Sequence, residues 1–359
     1  MKKIILPLLL FALQINAQDI SVATLGLKPP AQMNYTPVKD QYMSSTCWSF
    51  SSNALLESEL MKNGIGKNDL SELFVARYSM LRKIKMHLQL NGKNFFTPGG
   101  QFHDVVWVLK NYGMVPESVY SGKGRGESNY DHSEMDTTLT RLVNQYVTNG
   151  VQKLSAAQQN EIDSLLDYYY GKPPAAFFYK GKSYTPVSFL KDYLKINPDD
   201  FIEITSYTHH PFYKSFILED KYNWTGDAYL NVPLADFEFI TDNGLKNGYT
   251  VGCDGDAEDA YFNYYSGLAY LPDSIKANQQ QRQLAFENQT TLLNHMMHIV
   301  GLVYDKWGNK WYYIKNSWGS TNSLGGFLYM RADYFKIRTV AIIVNKKTIS
   351  SAIRKKSGI

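Results

Sequence analysis

An α+β chain of two lobes is predicted, helical in its first half and strand-rich in its last third, with a cleft between the lobes. Three observations carry this. Apolar residues after Cys47 recur at helical spacing, as in Phe50, Ala54, Leu55, Ser58 and Met61 on one face. Beyond residue 249 the pattern changes to short runs rich in Val, Ile and Tyr, separated by turn residues. The 359 residues suffice for one large domain or two lobes sharing a groove. Apolar content of 44% against 19% charged residues excludes wholesale disorder, and 14% aromatics suit packed strands.

The elements follow in order. Lys2 and Lys3 precede an apolar run from Ile4 to Leu13, and Ala17 offers a small residue before Gln18. That run is too short to span a bilayer, so residues 1–17 are expected to be an export signal peptide that is removed, giving a secreted or periplasmic protein. No later segment has the apolar length of a membrane helix. Residues 18–35 form an irregular lead. A helix is predicted from Cys47 to about Lys62, with Gly64 as its stop. A second runs from Ser71 to about Leu90, where Ser71 caps and Glu72 sits in the first turn. Pro98-Gly99-Gly100 is a turn, and Phe102 to Tyr112 is a third helix ended by Gly113. Residues 121–128 read as a polar loop. Met135 to Tyr169 has one continuous helical pattern, and Phe189 to Ile196 is a short helix. Strands are expected at Tyr249 to Cys253, His295 to Tyr304, Lys310 to Asn316, Gly326 to Arg331 and Thr339 to Asn345, with Asp305 to Asn309 as a hairpin turn.

The formal charge is +4, and residues 1–17 carry two of those positive charges and no acid, which leaves +2. That excludes a strongly basic nucleic-acid-binding surface. The one basic run is C-terminal, with Lys346, Lys347, Arg354, Lys355 and Lys356, and reads as a solvated tail.

Cys47 is the residue around which chemistry can be built. It stands where a loop becomes a helix, and the free N–H groups and dipole there favour a thiolate, the nucleophilic form. Gln41, six residues upstream, can offer its side-chain amide to an oxyanion beside the Cys47 N–H; such donors contribute roughly 3 kcal/mol. Trp48 and Phe50 would anchor the helix.

The segment from Gln41 through Cys47-Trp48-Ser49-Phe50 resembles the active-site segment of papain-like cysteine peptidases. Asn294-His295 with Gly301 six residues on is similar to that family's histidine strand. Lys315-Asn316-Ser317-Trp318-Gly319 is similar to its asparagine motif, and Pro98-Gly99-Gly100 to its substrate-binding turn. All four occur in the family's order. The resemblance implies a papain-like fold, with a helical N-terminal lobe and an antiparallel, β-barrel-like C-terminal lobe facing an active-site cleft. It implies that Cys47 is the nucleophile, His295 its proton acceptor, Asn316 the orienting third member and Gln41 the oxyanion-hole donor. Gly99 and Gly100 would bind substrate backbone, and Trp318 would cover the His295–Asn316 bond. No cofactor and no metal are implied, and the partners are peptide substrates. Of the two nearby histidines, His298 faces the other side of the strand. The pair His209-His210 lacks further ligands at metal-binding spacing and reads as a loop.

Departures narrow the branch. Where secreted papain relatives have a disulfide cysteine three residues before the nucleophile, this chain has Ser44; where they have glycine two before it, the chain has Ser45. Gly252-Cys253-Asp254, Asn111 to Pro116 and Ala285-Phe286-Glu287 resemble the bleomycin hydrolase, or aminopeptidase C, branch. That branch implies aminopeptidase action in a hexameric cage, with the C-terminus, here Ile359, filling part of the cleft. The likeness covers about residues 35–120, a helical lobe, and 246–345, a β lobe; about 121–245 is an insertion-rich region and 346–359 the basic tail. Three alternatives stay open: an endopeptidase of the same fold, a non-catalytic secreted peptide-binding homologue, and a Cys47–Cys253 disulfide that would remove the nucleophile.

Overall fold

The computed structural model describes residues 20–31 and 34–359. The expected signal peptide, residues 1–17, lies outside them. After a capped turn α1 (Val22–Leu25) come α2 (Cys47–Lys62), α3 (Glu72–Gln89) and α4 (Phe102–Tyr112), close to the predicted bounds. Ser71 caps α3 by accepting from the Phe74 N–H. The long helix expected from Met135 to Tyr169 is two helices, α5 (Ser133–Thr148) and α6 (Ala156–Tyr170). Gly150 takes a left-handed φ of 72° after α5, and Ser155 starts α6 with a capping box closed by Gln158. The apolar periodicity runs through both helices, which is why the break was hidden. Strands β1 (Phe177–Tyr179) and β2 (Lys182–Tyr184) form a small ribbon. The short helix expected from Phe189 is α7 (Pro186–Ser188) widening into a π-helical turn over Phe189–Leu194. Leu56, Leu60, Phe74, Ile84, Val105, Leu139 and Leu166 pack these helices into one apolar core.

The second lobe is an open sheet. It contains β3 (Phe201–Thr205), β4 (Ser215–Ile217), β5 (Ala228–Asn231), β6 (Val251–Gly255), β7 (Phe262–Asn263), β8 (Leu268–Ala269), β9 (His295–Tyr304), β10 (Lys310–Lys315), β11 (Phe327–Arg331) and β12 (Thr339–Asn345). Their order is β4-β5-β3-β12-β6-β9-β10-β11-β8-β7. The architecture is α+β as expected. The two end strands β4 and β7 do not pair with each other, so the β-barrel-like description gives way to a ten-stranded mixed sheet, parallel at β3–β5 and β8–β11. Residues 121–245 serve both lobes: α5 and α6 join the helical core, and β3, β4 and β5 extend the sheet beyond β12.

Helices α8 (Leu234–Lys246), α9 (Gln279–Glu287) and α10 (Ala332–Arg338) cover the sheet. The basic segment is not a free tail. Residues 351–357 form α11 (Ser351–Ser357), and Ile349 and Ile353 are buried with Leu234, Ile240 and Val344. The Asn243 amide also donates to the Thr348 carbonyl. The lysines and Arg354 face outward while the isoleucines anchor the segment. Among the described residues, no helix is long and apolar enough to cross a membrane.

Two contacts set the lobes against each other. Ser51 Oγ on α2 donates to the Met297 carbonyl on β9 at 2.7 Å, and Ser52 lies against Met296. Elsewhere Arg282 of α9, fully buried, donates to the carbonyls of Ser206, Lys336, Thr339 and Val340. Its guanidinium also lies over the rings of Tyr207 and Phe237. Replacing it with an apolar side chain strands several buried acceptors, each worth about 1–3 kcal/mol. Arg282→Leu is therefore expected to lower unfolding free energy by at least about 3 kcal/mol in a urea titration; a loss below about 1 kcal/mol would contradict this account.

Candidate active site

Between the lobes lies a cleft of about 330 Å³. Gln41, Cys47, Gly99, Gly100, His295 and Trp318 all line it, and Asn316 stands directly behind His295. Each side chain is placed by its own element. Cys47 is the first residue of α2, and the preceding Thr46 makes no side-chain cap, so the helix-end N–H groups stay open to the cleft. Ser45, which replaces the family's glycine, holds glycine-like backbone with φ 55°. Cys47 and Cys253 are both free thiols, which removes the disulfide alternative. Cys253 is buried on β6 with its Sγ 3.6 Å from the Met297 carbonyl.

The imidazole is held by a set of bonds that assigns its protons. Asn316 Oδ1 accepts the Ser317 backbone N–H at 2.8 Å, which fixes the amide orientation. The same oxygen lies 2.7 Å from His295 Nε2, so Nε2 must be the donor. Nδ1 is then left with its lone pair, as a proton acceptor requires. Trp318 stacks on the imidazole with ring centroids 4.5 Å apart and shields that bond. His298, the rival histidine, is buried on the opposite face beside Lys315, and neither ring nitrogen has a partner.

Gln41 is set by a residue that sequence reasoning did not single out. Ser317 Oγ donates to Gln41 Oε1 at 2.6 Å, and the Gln41 N–H donates to the Ser317 carbonyl at 2.8 Å. With its oxygen taken, the Gln41 amide presents its NH₂ group to the cleft. The signal for Ser317 was its place inside the asparagine motif. The glycine turn has a second reason for its composition. A Cβ on Gly99 would lie 2.7 Å from the Tyr222 ring, and one on Gly100 would lie 2.8 Å from Trp48. Trp48 Nε1 donates to the Pro98 carbonyl, and Lys83 donates to the carbonyls of Thr97 and Gly99. That leaves the Gly100 N–H and C=O without a partner among the described residues, free to pair with an extended peptide. Tyr222 and Lys83 carried no signal in the sequence, since only the fold brings them to this turn.

Burial pushes the Cys47 thiol up to about 12, with Asp254 nearby adding to the rise, and the backbone N–H groups of Met296 and Trp48 oppose it. Burial likewise pushes the His295 imidazole down to about 4, partly opposed by the bond to Asn316. A lone charge is unfavourable on either group. Moving the proton from sulfur to Nδ1 creates both charges together, and their attraction offsets the desolvation that each would suffer alone. Such an arrangement can deliver a thiolate to an electrophilic carbon while the amide of Gln41 and the Cys47 N–H face the developing oxyanion.

A peptidase C1-like family model matches residues 30–357. The chain belongs to the peptidase C1-like family. Among its relatives in that family, aminopeptidase G of Lactobacillus delbrueckii subsp. lactis is 24% identical over 87% of this chain and 82% of its own length. Bleomycin hydrolase of Mus musculus is 23% identical over 88% of this chain and 82% of its own length. A crystal structure of PepW from Lactobacillus rhamnosis superposes with a TM-score of 0.73 at 19% identity, covering 93% of this chain and 86% of that one. The fold is papain-like, as the sequence motifs implied.

The pair His209-His210 meets a third group in the folded family member. Their Nε2 atoms lie 3.1 and 2.6 Å from the two oxygens of Glu219, the one such three-ligand cluster among the described residues. Gln283 Oε1 accepts the Thr208 N–H, so its amide nitrogen faces His209 Nδ1 and donates there. His209 Nε2 then carries its hydrogen toward Glu219, and no lone pair is offered to a cation. Of the two cysteines, alkylation is expected to label Cys47 first. Buried neutral imidazole also predicts that kcat/KM stays high down to an acid limb near pH 4, well below the usual histidine range, because His295 must be unprotonated to accept a proton. An acid limb at pH 6.5 would contradict this.

Proposed function

We propose that this protein is a thiol-dependent aminopeptidase that hydrolyses peptide bonds through an acyl-enzyme on Cys47. The observation that carries the reading is the His295 proton assignment: Asn316 Oδ1 accepts from both Ser317 N–H and His295 Nε2, which leaves the lone pair on Nδ1 of a ring that lines the same cleft as Cys47. In the proposed sequence the thiol proton passes to Nδ1 and sulfur attacks the scissile carbonyl. The tetrahedral oxyanion is met by the Cys47 N–H and the Gln41 amide. The imidazolium then gives its proton to the leaving amine, and water, deprotonated by the same nitrogen, releases the acyl group. Asn316 and Trp318 keep the ring in one orientation throughout.

Exopeptidase action is supported by the relatives named aminopeptidase G, aminopeptidase C and bleomycin hydrolase. An endopeptidase of the same fold is the reading that the free cleft favours, since no residue of 346–359 lines it. Assembly into a hexamer rests on the branch resemblance alone. Export rests on residues 1–17; mature protein beginning at Gln18 in a secreted or periplasmic fraction would support it, and an intact Met1 would count against it.

Cys47→Ala is expected to abolish turnover with the melting temperature held within a few degrees; an unchanged rate would remove the peptidase reading. Gln41→Ala should lower kcat by about 10²-fold with little change in KM, as loss of a transition-state donor does. Digesting one peptide with a free and with an acetylated N-terminus separates the two modes: only the free form is cleaved rapidly by an aminopeptidase, and equal rates indicate an endopeptidase.

A further inference from the structure

Asp254 is the part of the cleft that the proposed chemistry leaves unused. It lies on β6 directly opposite Met296, the residue after His295, and its side chain is about 2% exposed. It nonetheless lines the same groove as Cys47 and Gly100. The groove holds a second carboxylate, the exposed Glu258, and neither Lys nor Arg is among its lining residues. No salt bridge to Asp254 occurs among the described residues, and the neutral amide of Gln101 lies close enough to favour its charged form. Glu203 is nearby too, but its counter-charge is already supplied by His103 at 2.8 Å. Asp220 on the loop after β4, with Tyr222 and Tyr229, adds no cation; the one positive charge that acts on Asp254 is His103, which is paired with Glu203 and forms no salt bridge to Asp254 among the described residues. A buried carboxyl in a substrate groove, lacking a cationic partner, is complementary to a cation brought by the substrate.

We propose that Asp254 is the specificity residue that binds a substrate ammonium group in the groove beside Cys47. The assignment rests on the peptidase reading above and deepens it. A peptide paired with the Gly100 backbone and presenting its carbonyl to Cys47 carries its N-terminal α-ammonium within the same groove when only one residue is to be removed. That group is what distinguishes a chain end from an internal amide. Residues 346–359 do not line the groove, and α11 is anchored through Ile353 to the core beneath the sheet. Burial, with the charges of Asp220 and Glu203, pushes the Asp254 carboxyl well above its ordinary range. An arriving ammonium opposes that rise, favouring the carboxylate and a charge-assisted hydrogen bond to it, with any proton the carboxyl holds passing to solvent. A lysine side chain of the substrate offers the same chemistry as an α-amino group.

The test compares the full chain and Asp254→Asn on three peptides: one with a free N-terminus, its acetylated form, and an acetylated form with lysine next to the scissile residue. Cys47 alkylation counts the competent sites in each preparation. If the α-amino group is the ligand, the wild type favours the free peptide over the acetylated one by 10²-fold or more, and Asp254→Asn reduces that ratio at least tenfold. The wild-type ratio also shrinks as pH rises past about 8, where the α-amino group loses its charge. If lysine is the ligand, the wild type favours the acetylated lysine peptide and Asp254→Asn loses that preference; Asp254 then stands and the aminopeptidase reading falls. If Asp254→Asn keeps the wild-type preference, the Asp254 assignment is overturned while the aminopeptidase reading survives. A wild type with no preference for either cation overturns the assignment as well. Asp254→Glu, which retains a displaced carboxylate, should recover part of the ratio and serves if the asparagine variant does not fold.

Discussion

The turn at Asn316-Ser317-Trp318 is the constraint on which the rest of the site depends. It follows β10 and fixes three functional groups at once. Asn316 holds the imidazole, Ser317 orients Gln41, and Trp318 shields the ring. The N-terminal segment is tied to the same turn by an Asp40–Trp318 bridge and by the Gly319 N–H donating to the Lys39 carbonyl. Gly319 has φ 63°, and a Cβ there would press on Asp40, so the close approach depends on glycine. The Gln41 amide and the His295 imidazole are thus positioned by one short segment, although Gln41 and His295 belong to opposite ends of the chain.

Beneath that turn lies a set of largely buried charges that ties it to α2 and α3. Lys315, next to Asn316, donates to Thr36, and Thr36 donates to Glu57 on α2. Glu57 also accepts the Leu70 N–H, and Lys39 bridges to Glu72 and Asp69. Burial pulls the Lys315 ammonium down to about 8, opposed by Glu57 and Glu72. Groups of this kind contribute little net stability, but removing one leaves its partner buried and unpaired, at a cost of several kcal/mol. The network therefore resists small displacements of the segments that carry Gln41 and Asn316.

The short motifs were legible in the sequence because each residue's chemistry is nearly dictated by its neighbours. Cys47 at a helix start, the Asn316 motif and the Gly99-Gly100 turn all reside in contiguous stretches. Helix and strand bounds were legible where caps or apolar runs were strong, as with Ser71 before α3 and the continuous apolar run of β12. What could not be read depended on long-range packing. The break at Gly150 is the exception: its signals, the glycine and the Ser155 capping box, are local, and the helical periodicity on either side masked them. β3, β4 and β5 join the sheet through pairing with β12, more than 100 residues on. Asp254 was visible as part of a motif, but its lack of a cation is a property of the assembled cleft.

His295 carries its hydrogen on Nε2, which leaves the Nδ1 lone pair for the thiol proton in the proposed reaction. Nitrogen-15 NMR of the labelled imidazoles, with His295→Gln used to assign the resonance, measures this directly. The account predicts a protonated Nε2 at neutral pH, with loss of its hydrogen-bonded shift in Asn316→Ala. A bare Nε2 with the hydrogen on Nδ1 would contradict it, because Nδ1 would then have no lone pair to take the thiol proton.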